Sequence, residues 1–355
     1  MFSDLADQTC GTSARTCTRQ PAATLIRKAH SRGGIEGDEV GLGEPERRES
    51  LSKLDGLSMP NICLGTSPLG GMPDTYGYDV DEAQAVATIR HALDCGLTFI
   101  DTSNEYGDGE SERRIGTVLR ESGASGQRVV IASKADPARA QRILDGDRVR
   151  ESFAESAARL GVGRLDVYYL HDPERFDFAD MVKPGSSLDA IRELKAEGLV
   201  GLIGVAGGDL GEMRRYLDTG LMDIILNHNH FTLLDRSASP LITDCVSAGV
   251  AFINAAPYAS GILAKPLASS PRYGYRAPSP QLVATVEWLH QTCGEFGVPL
   301  AALALQFSTR DPRIRSTVVG VSAPQRIDEL MRNATLSIPP ELWERVEDRL
   351  APHAG

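Results

Sequence analysis

Several absences narrow the reading before any motif is considered. The six cysteines, Cys10, Cys17, Cys63, Cys95, Cys245 and Cys293, contain no CxxC pair and form no zinc signature. They read as reduced thiols of a cytoplasmic protein that holds no metal. No apolar run approaches the roughly 20 residues that cross a bilayer, and the opening MFSDLADQTCG lacks the hydrophobic segment of a signal peptide. Positive charge is also short. Lys plus Arg number 37 against 48 Asp plus Glu, a formal charge of -11, which opposes broad attraction to nucleic acid or an anionic membrane. The expected partner is a small molecule, met by a monomer or homodimer.

What is present suits one large core. The chain has 355 residues, 41% of them hydrophobic, a size that α/β barrels commonly reach as a single domain. Residues 1–55 stand apart. GTSARTCTRQPAATLIRKAHSRGG carries basic and hydroxyl residues without acids, and GLGEPERRESLSK then alternates charge without apolar periodicity. They read as a poorly ordered arm, with an organelle transit peptide as the alternative.

From there on, short apolar runs alternate with segments of helical period. The predicted strands are Asn61–Leu64, Leu97–Ile100, Val129–Ala132, Leu165–Leu170, Val200–Val205, Asp223–Leu226, Val250–Ile253 and Ser316–Val319. Between them lie amphipathic stretches such as DEAQAVATIRHALDCG, DRVRESFAESAARLGV, SSLDAIRELKAEG and DLGEMRRYLDTG. Continuously apolar strands, each followed by a helix, predict parallel strands buried on both faces. Eight such units predict a (β/α)8 TIM barrel over residues 56–355, with its site at the C-terminal strand ends. The alternative is a doubly wound open sheet. That fold wants a glycine-rich phosphate fingerprint running into its first helix, and LGTSPLGGMPDTYG lacks the spacing.

In the barrel reading, strand two ends at Asp101 with Tyr106 just beyond, strand three at Lys134 and strand four at His171. Singly, each has an ordinary explanation as a cap, an ion-pair partner or a rim residue. Together they form a proton-handling set without a nucleophile. A phenol titrates near pH 10 unaided; a neighbouring ammonium lowers that value, and a carboxylate keeps the ammonium charged and aimed. The imidazole can orient a substrate oxygen.

The stretches LGTSPLGG, FIDTSNEYGDGESERRIG, VVIASK, DVYYLHDPE and STVVGVSAPQRIDEL resemble the aldo-keto reductase family over residues 58–345. The resemblance implies the barrel fold and a nicotinamide dinucleotide bound without a Rossmann motif. It also implies a tetrad in which Tyr106 is the general acid or base, Lys134 depresses its pKa, Asp101 holds the lysine and His171 positions the oxygen.

For the cofactor, the resemblance points to Gly65, Thr66, Asp101, Ala206, Gly207, His228, Pro257, Tyr258, Gly320, Ser322 and Arg326. Pro324 suits the first turn of a helix whose free N–H groups meet phosphate. Several positions depart from the commoner pattern. Gly320 replaces a lysine that favours NADP, although Arg326 remains, so NAD is expected with NADP still open. Ala206 and Gly207 replace Ser-Asn, Ala255 replaces a stacking tyrosine, and Asn227, His228, Asn229 and His230 stand near a usual glutamine.

The departures resemble the branch that oxidises aldoses and pyridoxal-type hemiacetals to lactones at the anomeric hydroxyl. An NADPH-dependent carbonyl reductase and a non-catalytic nucleotide-sensing barrel are the alternatives. The segment bearing Arg272, Tyr273 and Tyr275 is a candidate lid.

Overall fold

A computed structural model describes residue 57 and residues 59–122, 128–138, 142–265 and 277–350. The arm expected over residues 1–55 and the candidate lid with Arg272, Tyr273 and Tyr275 lie outside the described residues.

Eight strands follow in chain order: β1 (Ile62–Gly65), β2 (Phe99–Asp101), β3 (Val130–Ala135), β4 (Leu165–His171), β5 (Val200–Gly207), β6 (Ile224–His228), β7 (Ala251–Ala255) and β8 (Ile314–Gly320). Each pairs in parallel with the next, and β8 returns to β1, with Gly320 opposite Gly65. This closure rules out the open, doubly wound alternative. The fold is a (β/α)8 barrel.

The connecting helices start where their sequences supply a cap. The Asp81 carboxylate accepts the Gln84 N–H ahead of helix Glu82–Asp94, Asp145 accepts from Arg148 ahead of Gly146–Leu160, and Asp209 accepts from Glu212 ahead of Leu210–Asp218. Each cap of this kind contributes about 1 kcal/mol. Gly161, with φ 72°, closes the Gly146–Leu160 helix in the left-handed region that glycine enters without strain.

Strand alternation then sorts the core into two layers. Leu64, Ile100, Ile131, Leu170, Val205 and Val319 pack outward beneath the helices. Cys63, Phe99, Ala132, Tyr169, Ile253 and Val318 fill the barrel interior. Two residues beyond the interior layer, the same alternation turns Gly65, Asp101, Lys134, His171, Ala206, His228, Ala255 and Gly320 toward one shared mouth, where all eight line a single cavity.

Most strands run past the apolar stretches that predicted them. β2 ends at Asp101 rather than Ile100, β3 at Ala135 rather than Ala132, β4 at His171 rather than Leu170, and β6 at His228 rather than Leu226. Ladder hydrogen bonds are made by the backbone, so a strand continues through inward polar residues that a hydrophobicity criterion takes for its end.

Candidate active site

The cavity at the C-terminal mouth has a volume of about 1160 Å³. Its charged floor is built by β2, β3 and β4. Lys134, only 1% exposed, donates from Nζ to Asp101 Oδ1 at 2.7 Å, to the Thr102 carbonyl at 2.6 Å and to Tyr106 Oη at 3.2 Å. Three donors thus meet three acceptors, which is what a buried ammonium requires. Burial works against the charged lysine, but Asp101 and then Tyr106 more than compensate, so it titrates above the ordinary lysine range.

The expectation that Lys134 lowers the Tyr106 pKa is met only in part. Burial is the largest influence on Tyr106 and raises its pKa; Lys134 opposes it without cancelling it, and the phenol ends above its ordinary value. Desolvation wins because Tyr106, half-buried at the cavity wall, is crowded by protein that displaces much of the water a phenolate would hold.

The ring of His171 stands 5.8 Å from that of Tyr106, edge to face at 79°. Its Nδ1 lies 2.5 Å from Asp136 Oδ1. Sequence reasoning missed Asp136. It follows Lys134 by two residues in SKADP, so strand alternation carried one step further turns it the same way, but Pro137 behind it suggests an ordinary turn. Asp136 is 1% exposed; its Oδ2 accepts the Ser103 hydroxyl, and it accepts the Glu105 N–H at 3.0 Å. Burial raises the carboxyl's pKa, but the charge and hydrogen bond of His171, with Ser103 and the Glu105 N–H, leave it below the ordinary value. For His171 burial opposes protonation, and Asp136 outweighs it, so the ring titrates above ordinary histidine.

In the opposite half of the mouth, from β5 to β8 and round to β1, every inward strand end but His228 of β6 is a small residue. Ala206, Ala255, Gly320 and Gly65 line the cavity together with Pro257, Tyr258, Ser322 and Arg326. Gly207, expected beside the cofactor, does not. Alternation turns it outward, its carbonyl accepts Asn227 Nδ2 at 3.0 Å, and the Glu174 carboxylate fills the place a side chain there would take. The Asn227–His230 run resolves in the same way: the half-buried His228 lines the cavity, whereas Asn227 is buried against the backbone of Gly207 and Gly208. Thr66 lines the cavity, but its hydroxyl donates to the Asp101 carbonyl at 2.8 Å and ties β1 to β2.

The residues of this half fit a dinucleotide. Helix Pro324–Thr335 opens at the cavity with alanine at its N-cap and no side-chain cap. Pro324 has no N–H and the Arg326 N–H donates to the Ala323 carbonyl at 3.0 Å, which leaves the helix end's positive dipole and the Gln325 N–H to meet an anion. A Cβ on Gly320 would stand 3.3 Å from Pro68 Cγ, narrowing the approach to the backbone. Beyond Gly320, Arg326 Nη1 is paired with Glu329 Oε2 at 2.5 Å.

Comparisons with known proteins agree with this geometry. The sequence profile of the aldo/keto reductase family matches residues 61–350. A D-threo-aldose 1-dehydrogenase of Pseudomonas sp is 31% identical, over 86% of this chain and 98% of that protein. A pyridoxal 4-dehydrogenase of Microbacterium luteolum is 30% identical, over 81% and 93%, and an L-galactose dehydrogenase of Arabidopsis thaliana is 31% identical, over 84% and 92%. Among solved structures, the holo form of an aldo-keto reductase from Bacillus halodurans superposes with a TM-score of 0.70 at 20% identity, covering 84% of this chain and 94% of that one, a likeness of fold. With a barrel closed on a lysine-centred mouth and a profile match spanning every strand, the chain belongs to the aldo/keto reductase family and is an NAD(P)-dependent oxidoreductase.

Proposed function

We propose that the chain oxidises the anomeric hydroxyl of an aldose or pyridoxal-type cyclic hemiacetal to a lactone. The observation that carries the reading is Lys134, held between Asp101 and Tyr106 beside His171 on the floor of an open cavity. A bound nicotinamide dinucleotide supplies the hydride acceptor. The protein's own residues handle the oxygen. His171 and Tyr106 converge on the space the anomeric oxygen would fill. There the hydroxyl passes its proton to the Tyr106 oxygen, acting in its phenolate form as general base, while the carbon gives up a hydride and a C=O bond forms. Lys134, buried and charged, keeps a positive field beside that oxygen, worth more in a dry site than in water.

Gly65, Ser322 and the open N-terminus of helix Pro324–Thr335 would hold the dinucleotide's phosphates, and Pro257 and Tyr258 would flank it. NAD is the preferred form. Gly320 offers no side chain to a 2′-phosphate, and the charge of Arg326 is already matched by Glu329. The named relatives at about 30% identity, two sugar dehydrogenases and a pyridoxal dehydrogenase, support the hemiacetal class.

The test follows reduced-nicotinamide absorbance with NAD⁺ or NADP⁺ and a panel of L-fucose, L-galactose, D-arabinose and pyridoxal. Turnover of at least one, lost by a factor of about a thousand in Tyr106→Phe with cofactor binding retained, is the expected result. Faster NADPH-dependent reduction of aldehydes than oxidation of any hemiacetal would favour the carbonyl reductase. Tight cofactor binding without turnover would favour a nucleotide sensor.

A further inference from the structure

We infer that Asp136 is a positioning residue for His171. It keeps a proton on Nδ1 in both charge states of the ring, so that the proton gained and lost belongs to Nε2, the nitrogen left for substrate. The kinetic consequence rests on the oxidoreductase reading; the state of the histidine does not.

A carboxylate can only accept, so the 2.5 Å contact with Asp136 Oδ1 makes Nδ1 a donor. The carboxylate is not free to turn away. Besides its bonds from Ser103 and Glu105, the Asp136 N–H donates to Ser152 Oγ at 3.1 Å, and its carbonyl accepts Arg148 Nε at 2.9 Å. Nε2 has no hydrogen-bond partner among the described residues; the nearest carboxylate oxygen, Asp172 Oδ1, is 3.8 Å away.

Charged and titratable groups face the ring from every side. Lys134 comes from β3, Tyr106 and Glu105 from the loop after β2, Asp172 from the end of β4, and His228 from β6; Arg175 pairs with Glu105 at 3.2 Å. Burial and Lys134 oppose the imidazolium, Asp172 favours it, and Asp136, which touches the ring directly, decides the balance.

Two chemical states follow. The imidazolium donates from Nε2 and suits a carbonyl oxygen, the substrate of the reductive direction. The neutral ring offers a lone pair at Nε2 and suits a hydroxyl, the substrate of oxidation. Oxidation therefore gains as pH rises through the His171 pKa, and Asp136 sets where that rise falls. Asp136→Asn removes the charge while its amide oxygen can still accept the Nδ1 proton, separating electrostatics from geometry.

The experiment is a pH titration by nitrogen-15 NMR of the full chain, histidine-labelled and without cofactor, with His171 assigned through His171→Gln. In the wild type the neutral ring should carry its proton on Nδ1 and titrate above the ordinary value of about 6.5. In Asp136→Asn the midpoint should fall by roughly one unit or more, and the rising limb of kcat/KM for oxidation should move with it while the KM for cofactor holds. A wild-type neutral ring protonated on Nε2 would overturn the inference, and that observation needs no variant to fold. So would a midpoint unmoved in folded Asp136→Asn, the result of a purely structural aspartate. If the midpoint moves but no substrate turns over, the inference stands and the dehydrogenase reading falls.

Discussion

The two halves of the barrel mouth are built on opposite plans. From β2 to β4 the inward positions carry Asp101, Lys134 and His171: Lys134 is bonded to Asp101 and Tyr106, and His171 to Asp136. From β5 round to β1, four of the five strands end inward in Ala206, Ala255, Gly320 and Gly65, with His228 between them. One half holds charge; the other leaves room. Charge must be held rigidly to be worth anything in a transition state, whereas a flat ligand approaching a backbone needs side chains out of the way.

Lys134→Met should give the largest break in this contrast. It leaves Asp101 buried without its cation, and unpaired buried charges of this kind cost about 3–5 kcal/mol. Turnover should fall about a thousand-fold, and thermal unfolding should show the lost stability directly. Dinucleotide titration of the same variant should be nearly normal, because the spacious half is untouched.

Gly65→Ala tests the spacious half. The added methyl would stand 2.9 Å from Val318 Cγ1 and 3.2 Å from the Gly320 nitrogen, an overpacking of about 1–3 kcal/mol. Cofactor affinity should weaken about tenfold, while the rate at saturating cofactor stays close to wild type. A collapse of that rate would show that the halves are not separable.

The smallest effect is expected at the outer edge. Glu329→Gln releases Arg326 from its carboxylate, and competition binding should then show NADP⁺ gaining several-fold on NAD⁺, in line with about 1 kcal/mol for an exposed charge contact. No change would mean that Arg326 does not reach the 2′ position.

The charged half was more legible in the sequence than the spacious one. Asp101, Lys134 and His171 each close an apolar run with a polar residue, a contrast visible along the chain. Ala206 and Ala255 continue their runs without contrast, and their meaning comes only from the strand alternation that turns them inward. Gly207 shows the cost of lacking that alternation: one residue beyond Ala206, it faces outward. Asp136 was lost for another reason. Its partner is in the next strand, and Pro137 behind it gives SKADP the look of an ordinary turn although alternation from Lys134 turns Asp136 inward. The barrel itself was readable because parallel strands buried on both faces are apolar throughout, and only their last turns of chemistry disguised where they end.

Gly65 and Gly320 face each other across the β1–β8 seam, the one pairing that joins the beginning of the barrel to its end. During synthesis β1 waits with an open edge until β8 emerges, so this seam closes last. A dinucleotide lying over Gly65, Gly320 and Ser322 would then act as a clasp on the final joint. Its binding should slow hydrogen exchange along β1 and β8, which it would bridge, more than along β4 and β5 on the far side of the barrel.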